Sequence, residues 1–286
     1  MSLNTAKYIS TQRDLTQKFR EAVNAATPFY PTLCAEIQSN GADEKYGMLG
    51  SMPGVKEWLG DRQFKKLRAA DFTISNRKWE NSVEFEKDDI DDDRLGLMST
   101  VMADFGNEAA LHPDDLLFET LVAGETTACF DGQYFFDTDH SWGDSGTQDN
   151  DLTYAAATGT TPTAAEFRAA FHQARTAMLK YTNDQGKKLN RPVSTSMASL
   201  LVIVPPELEL VAYEGLYAAL NSNGATNVVI DRPRIIVSPI LTDATKFYTF
   251  NLGGALKPFV FQKRKPIQTP TWKGADDPEY KVLKMM

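Results

Sequence analysis

The chain has 286 residues, 42% apolar and 24% charged, enough for one large domain or two modest ones with a core that needs no staples. Thirty Lys and Arg against 38 Asp and Glu leave a formal charge of −8. That argues against gripping nucleic acid through a clustered basic face. Cys34 and Cys129 make neither a disulfide framework nor a zinc cage, and three histidines are few for a metalloenzyme. The longest apolar run, Leu200–Pro206, falls far short of the roughly 20 residues of a membrane span. Residues 1–12 lack the sections of a signal peptide. The expectation is a soluble protein of a reducing compartment, or of something assembled in one, with no membrane partner.

Residues 10–26 predict a short helix. Leu15, Phe19, Ala22 and Val23 share a face, and Ser10 or Thr11 can cap it. Pro28 and Pro31 break the chain, and residues 37–54, with four glycines, predict a loop. Asp71–Asn76 alternates, with Phe72 and Ile74 on one side. Lys78–Lys87 alternates too, Trp79, Val83 and Phe85 opposite Glu80, Ser82, Glu84 and Glu86. With Glu57–Leu67 before them, these predict a long hairpin whose polar tip, Phe64–Asp71, holds Lys65, Lys66 and Arg68.

The run Asp88–Asp93 offers oxygen ligands for a divalent cation. Its spacing fails the calcium-loop pattern, and acidic residues suit the first turn of a helix. That helix spans about Ile90–Ala123. Leu95, Met98, Met102, Phe105 and Ala109 form one apolar stripe, predicted to face a sheet. Pro113 bends or re-nucleates the helix near His112, and Gly124 ends it. Residues 129–150 turn from aromatic to Gly, Ser and Asp. Asp137, Asp139 and His140 are the compact cluster with ligand chemistry and offer two oxygens and an imidazole to a metal. The lone histidine and the loop setting favour a turn whose side chains bond the backbone.

In the second half Thr163 and Glu166 form a capping box. They open a helix with Phe167, Phe171, Ala174, Met178 and Tyr181 on one face and His172 on the flank. Asn183–Leu189 predicts a turn and Leu200–Val204 a buried strand. Pro205-Pro206-Glu207 starts a helix through Leu220. Asn227–Asp231, Ile235–Val237, Phe247–Phe250 and Phe259–Phe261 predict short strands. A phosphate loop, a nucleophile elbow, a paired-cysteine motif and an internal repeat are all missing from the sequence, so no catalytic residue, cofactor or metal site is assigned.

The order of a short arm, a long polar-tipped hairpin, a long helix, an α/β section and returning strands resembles the Hong Kong 97-type capsid fold of tailed phages. The wording is more specific. YGMLGSMPGVKEWLGDR (46–62), ISNRKWENSVEFEKDDIDDDRLG (74–96), HPDDLLFETLVAG (112–124), CFDGQYFFDTDH (129–140) and GKKLNRPVSTSMASLLVIVPPELE (186–209) resemble the major head subunits of Mu-like phages and prophages. The resemblance implies an α+β fold: an N-terminal arm (1–49), an extended β-hairpin loop (50–87) and a peripheral domain with a long spine helix (88–150). An axial domain (151–245) and return strands of the peripheral domain (246–286) follow. It implies a non-enzymatic shell protein of the virion, assembled in the bacterial host cytoplasm. Hexamers and pentamers of it would form an icosahedral shell around double-stranded DNA, without sequence-specific binding.

The extended loop begins about 50 residues in and leaves no room for a fused scaffold, so a separate scaffolding protein is expected, and a portal is a further expected partner. Similar proteins commonly continue into a final Gly- and aromatic-rich strand, whereas this sequence stops at Lys284-Met285-Met286. Phe64, Lys65, Lys66, Arg68, Phe72 and Trp79 are the expected inter-subunit contacts, the cations facing a neighbour's carboxylates in exposed pairs worth at most about 1 kcal/mol each. An encapsulin-like nanocompartment shell is the alternative function. A metal-dependent enzyme using Asp137, Asp139 and His140 stands last.

Overall fold

The structure, a computed structural model, describes residues 3–49, 69–85, 95–157, 161–189, 199–254, 257–273 and 281–284. The chain forms two compact units. One comprises Met1–Glu44, Ser75–Leu117 and Val260–Met286, and the other Lys45–Ile74 and Phe118–Phe259.

The first unit is built on two helices, α1 (Leu3–Ala25) and the start of α3 (Leu95–Ala123). α1 begins earlier than its apolar stripe predicts. Polar residues with ordinary helix propensity extend it, and Thr11 is a buried side chain within it rather than a cap. Leu15 and Phe19 pack against Met98, Met102 and Phe105, with the Phe19 and Phe105 rings 5.8 Å apart. Gly106 lets the helices approach: a Cβ there would lie 2.6 Å from the Phe19 carbonyl oxygen and 2.9 Å from the Ala22 Cβ.

Val83, Phe85 and Trp272 join the same cluster. They come from β4 (Ser82–Phe85) and β9 (Thr271–Lys273), the outer strands of an antiparallel sheet centred on β10 (Lys281–Lys284). The stripe of α3 therefore faces a helix as well as a sheet. α3 is about 44 Å long and runs unbroken through Pro113, so the predicted re-nucleation does not occur. Pro113 has no N–H to give the preceding turn. Asp114 next to it serves another segment. Its carboxylate accepts from Phe29 N (2.8 Å) and Tyr30 N (2.6 Å) at the start of α2 (Tyr30–Leu33). Burial and a hydrogen bond to Glu36 push the Tyr30 phenol up to about 12. β1 (Cys34–Gln38) follows and pairs with β8 (Phe259–Lys263).

In the second unit β5 (Leu200–Val204) is buried at every position. It lies between β6 (Arg234–Val237), parallel, and β7 (Tyr248–Asn251), antiparallel. A strand covered on both faces reads as a continuous apolar run. α4 (Ala164–Lys180) opens with the capping box and packs Phe167 and Phe171 on this sheet. After a 3₁₀ turn at Pro206–Leu208, α5 (Glu209–Tyr217) adds Ala212 and Leu216. It is shorter than predicted, ending at Tyr217. No described helix is long and apolar enough to cross a membrane.

Residues 227–231 are not a strand. Their connection is held by the polar side of α4. Arg168 donates to Asn221 and to Asn227 Oδ1 (2.7 Å), and Arg175 donates twice to Asp231 Oδ2 (3.0 and 2.5 Å). Asp231 sits at φ +56°, a left-handed conformation Asp tolerates better than most residues. Side-chain anchoring thus replaces the ladder that Val228, Val229 and Ile230 suggest.

Candidate functional site

Residues 37–54, read as a loop, hold two strands instead. β1 ends at Gln38, and β2 (Asp43–Leu49) pairs with β3 (Ala69–Ser75) as a two-stranded ribbon. Asn76 N bonds to Ala42 O at 2.9 Å, and Tyr46 stacks on Phe72 at 5.3 Å, pairings that fit antiparallel strands. Of the predicted tip, residues 69–71 belong to β3 instead. Phe64, Lys65, Lys66 and Arg68 lie outside the described residues. Lys78–Lys87 is not the ribbon's return strand. Among the described residues of that stretch only Ser82–Phe85 forms a strand, and it pairs with β10.

The ribbon is half-buried on one face. Glu44 and Tyr46 on β2, and Phe72 and Ile74 on β3, are intermediate in exposure, while Lys45, Asp71, Thr73 and Ser75 are exposed. None of these positions is fully buried. Lys45 and Asp71 form an exposed ion pair at 2.6 Å. A two-stranded ribbon is marginal in water by itself, so this one presents an apolar face suited to covering by another surface.

Its root is tightly tied. Glu44 Oε1 accepts from Ser39 Oγ (3.0 Å), Asn40 N (2.8 Å) and Gly41 N (2.9 Å). Those bonds, from the Gly41 and Asn40 amides first, hold the carboxyl below its ordinary range. Asn76 Nδ2 donates to Ser39 Oγ and Gly41 O. Sequence reading missed this knot. The one available signal was Ser-Asn-Gly followed by an acid, a loop whose polar side chains bond backbone. Trp79 is not on the ribbon. It lies in the connection to β4, 49% exposed, with its ring 4.7 Å from His112 of α3.

The Asp137, Asp139 and His140 side chains take separate partners. Asp137 accepts from Thr138 N (2.7 Å) and Tyr134 N (3.3 Å), and Asp139 from Gln133 Nε2 (2.6 Å). His140 Nδ1 lies 2.7 Å from Asp131 Oδ2, a carboxylate outside the predicted cluster. Among the described residues no group of three or more His, Cys, Asp or Glu is placed to hold a metal. The aromatic front of this stretch is structural packing. Phe135 stacks on Phe259 at 5.1 Å, and Phe136 meets Tyr248 at 5.2 Å.

This architecture is that of the tailed-phage capsid proteins. The procapsid protein of bacteriophage JBD30 superposes with a TM-score of 0.63 at 24% identity, over 84% of this chain and 100% of that one. The mature capsid of phage PhiM1 gives 0.54 at 13% identity, over 91% and 81%. At these identities the likeness is one of fold. The sequence profile of the Mu-like prophage major head subunit gpT matches residues 9–169 and 163–241, and the chain belongs to that family. It is 40% identical over 127 residues to the Mu-like prophage FluMu major head subunit of Haemophilus influenzae, covering 44% of this chain and 41% of the relative. It is 35% identical over 122 residues to the major capsid protein of Escherichia phage Mu, covering 43% and 40%. The aligned stretch thus spans about two fifths of the length of these curated relatives.

Proposed function

We propose that this chain is a major capsid protein that tiles, as hexamers and pentamers, a closed icosahedral shell around phage double-stranded DNA. Family membership from residue 9 to 241 carries the reading. The half-buried ribbon supports it, since a neighbouring subunit is the natural cover for its Tyr46 and Phe72 face. One chain in two ring sizes must present the same surfaces to slightly different environments, and a long ribbon on a fixed root suits that demand. The chain works by assembly and not by catalysis. A separate scaffolding protein and a portal are its proposed partners, and the virion, built in the host cytoplasm, its place. The proposed division runs from an arm (1–49) and extended loop (50–87) through a peripheral domain (88–150, completed by 246–286) and an axial domain (151–245). Phe64, Lys65, Lys66, Arg68, Phe72 and Trp79 remain its proposed inter-subunit contacts.

Electron microscopy of the expressed protein tests the reading, with Phe72→Ser alongside. Wild-type subunits should give closed shells. The variant should unfold at nearly the wild-type temperature, because Phe72 is only half-buried in the subunit, yet lose shells. A variant that melts early and still builds normal shells would assign the ribbon to its own subunit.

A further inference from the structure

Two surfaces of the first unit are unpartnered, and they match. A groove of about 540 Å³ runs along α1, lined by Ile9, Gln12, Arg13, Thr16, Arg20 and Trp272, among others. Lys18 takes Glu21, and neither Arg13 nor Arg20 has an ion pair among the described residues. Gln12 Nε2 is buried with no hydrogen-bond partner, while Ile9 is 48% exposed. Trp272 closes one side, its indole N–H donating to Thr16 Oγ1 at 3.1 Å. The groove therefore combines donors with apolar wall, and it asks for carboxylates on an apolar support.

The outward stripe of α3 has that composition. Leu97, Val101 and Leu111 are exposed on the flank that also carries Asp104, Glu108 and the partly buried Asp115, about a third of a turn from the Met98 and Met102 stripe. Glu108 and Asp115, like Arg13 and Arg20, are seven residues apart, two helical turns or about 10.5 Å, and Leu111 lies between them. Neither carboxylate has an ion pair among the described residues. The surroundings deepen the contrast. Residues 95–167 carry thirteen Asp and Glu and no Lys or Arg, so −8 for the chain leaves the rest of it at +5.

We propose that the α1 groove of one copy receives the α3 outer stripe of a second copy, Arg13 and Arg20 pairing with Glu108 and Asp115 around Leu111. This rests on the shell reading and names one of its contacts. Different patches of the two copies meet, so the contact is head-to-tail and propagates into rings. Ile9 in the groove and Leu111 on the stripe give the contact apolar filling, and the opposed charges select its partner and register.

The test uses two full-length variants, Arg13→Glu/Arg20→Glu and Glu108→Lys/Asp115→Lys, followed by sedimentation velocity and thermal unfolding. Each alone should melt like wild type and lose association by about tenfold or more. Mixed, they should associate again, because the new carboxylates of one groove meet the new lysines of the other stripe, and the remaining contacts keep native charges. A mixture that stays monomeric while both variants melt normally overturns the contact. Variants that build shells as well as wild type overturn it too and leave the shell reading intact. A wild type that stays monomeric overturns the shell reading itself. If the reversals melt early, Arg13→Gln/Arg20→Gln takes their place, and wild-type association by that neutral variant overturns the contact.

Discussion

A single atom decides how near α1 and α3 can come. At Gly106 a methyl group would meet the Phe19 carbonyl and the Ala22 methyl inside 3 Å, and the backbone oxygen cannot swing aside as a side chain can. Overpacking of this kind costs about 1–3 kcal/mol, while the better helix propensity of Ala returns at most about 1 kcal/mol. Gly106→Ala should therefore lower the unfolding temperature. Gly96→Ala is the control on the same helix, with open space around the added Cβ, and should raise stability by about 0.4–1 kcal/mol. Differential scanning calorimetry of the pair decides the matter. An apolar stripe names residues 98, 102 and 105 because side chains have periodicity. A glycine at a crossing leaves only its own smallness as a signal.

Elements were legible where burial imposed a period. The Met98–Phe105 stripe, the capping box at Thr163 and the apolar run of β5 all read correctly. What escaped depended on distant partners. β2 hides because Gly47 and its charged neighbours resemble a loop, and its alternation is only half-buried. Residues 227–231 look like a strand but are fastened by Arg168 and Arg175, about 55 residues away in sequence. That fastening makes a pH prediction. His172 sits between the two arginines on α4, and burial first, then the Arg175 and Arg168 charges, lowers its pKa from 6.5. The folded state then binds fewer protons than the unfolded one, so the stability it protects is complete above pH 6.5 and falls as pH drops through and below it. Unfolding temperatures at pH 7.5 and 5.5 should differ, and His172→Gln should narrow that difference. An unchanged gap would place the titration elsewhere.

For the whole molecule, charge speaks more plainly than any motif. A chain at −8 repels phosphates on balance, although its residues outside 95–167 sum to +5, and nonspecific DNA affinity rises with the number of phosphates neutralised. Purified subunits should show no retention of double-stranded DNA at 50 mM salt in a mobility-shift assay, and adding salt should change nothing. A salt-sensitive complex would mean that a local basic surface outweighs the total. The polarity along the chain has another consequence. Trypsin cuts only after lysine or arginine, and the acidic stretch that begins with α3 offers it no site between Arg94 and Arg168. However far the subunit opens, digestion must leave residues 95–168 as one peptide. Amine-directed cross-linkers will find no lysine there either. With no amine on α3, its carboxylates are the handle on that face, and a carbodiimide footprint taken before and after assembly would follow that helix directly.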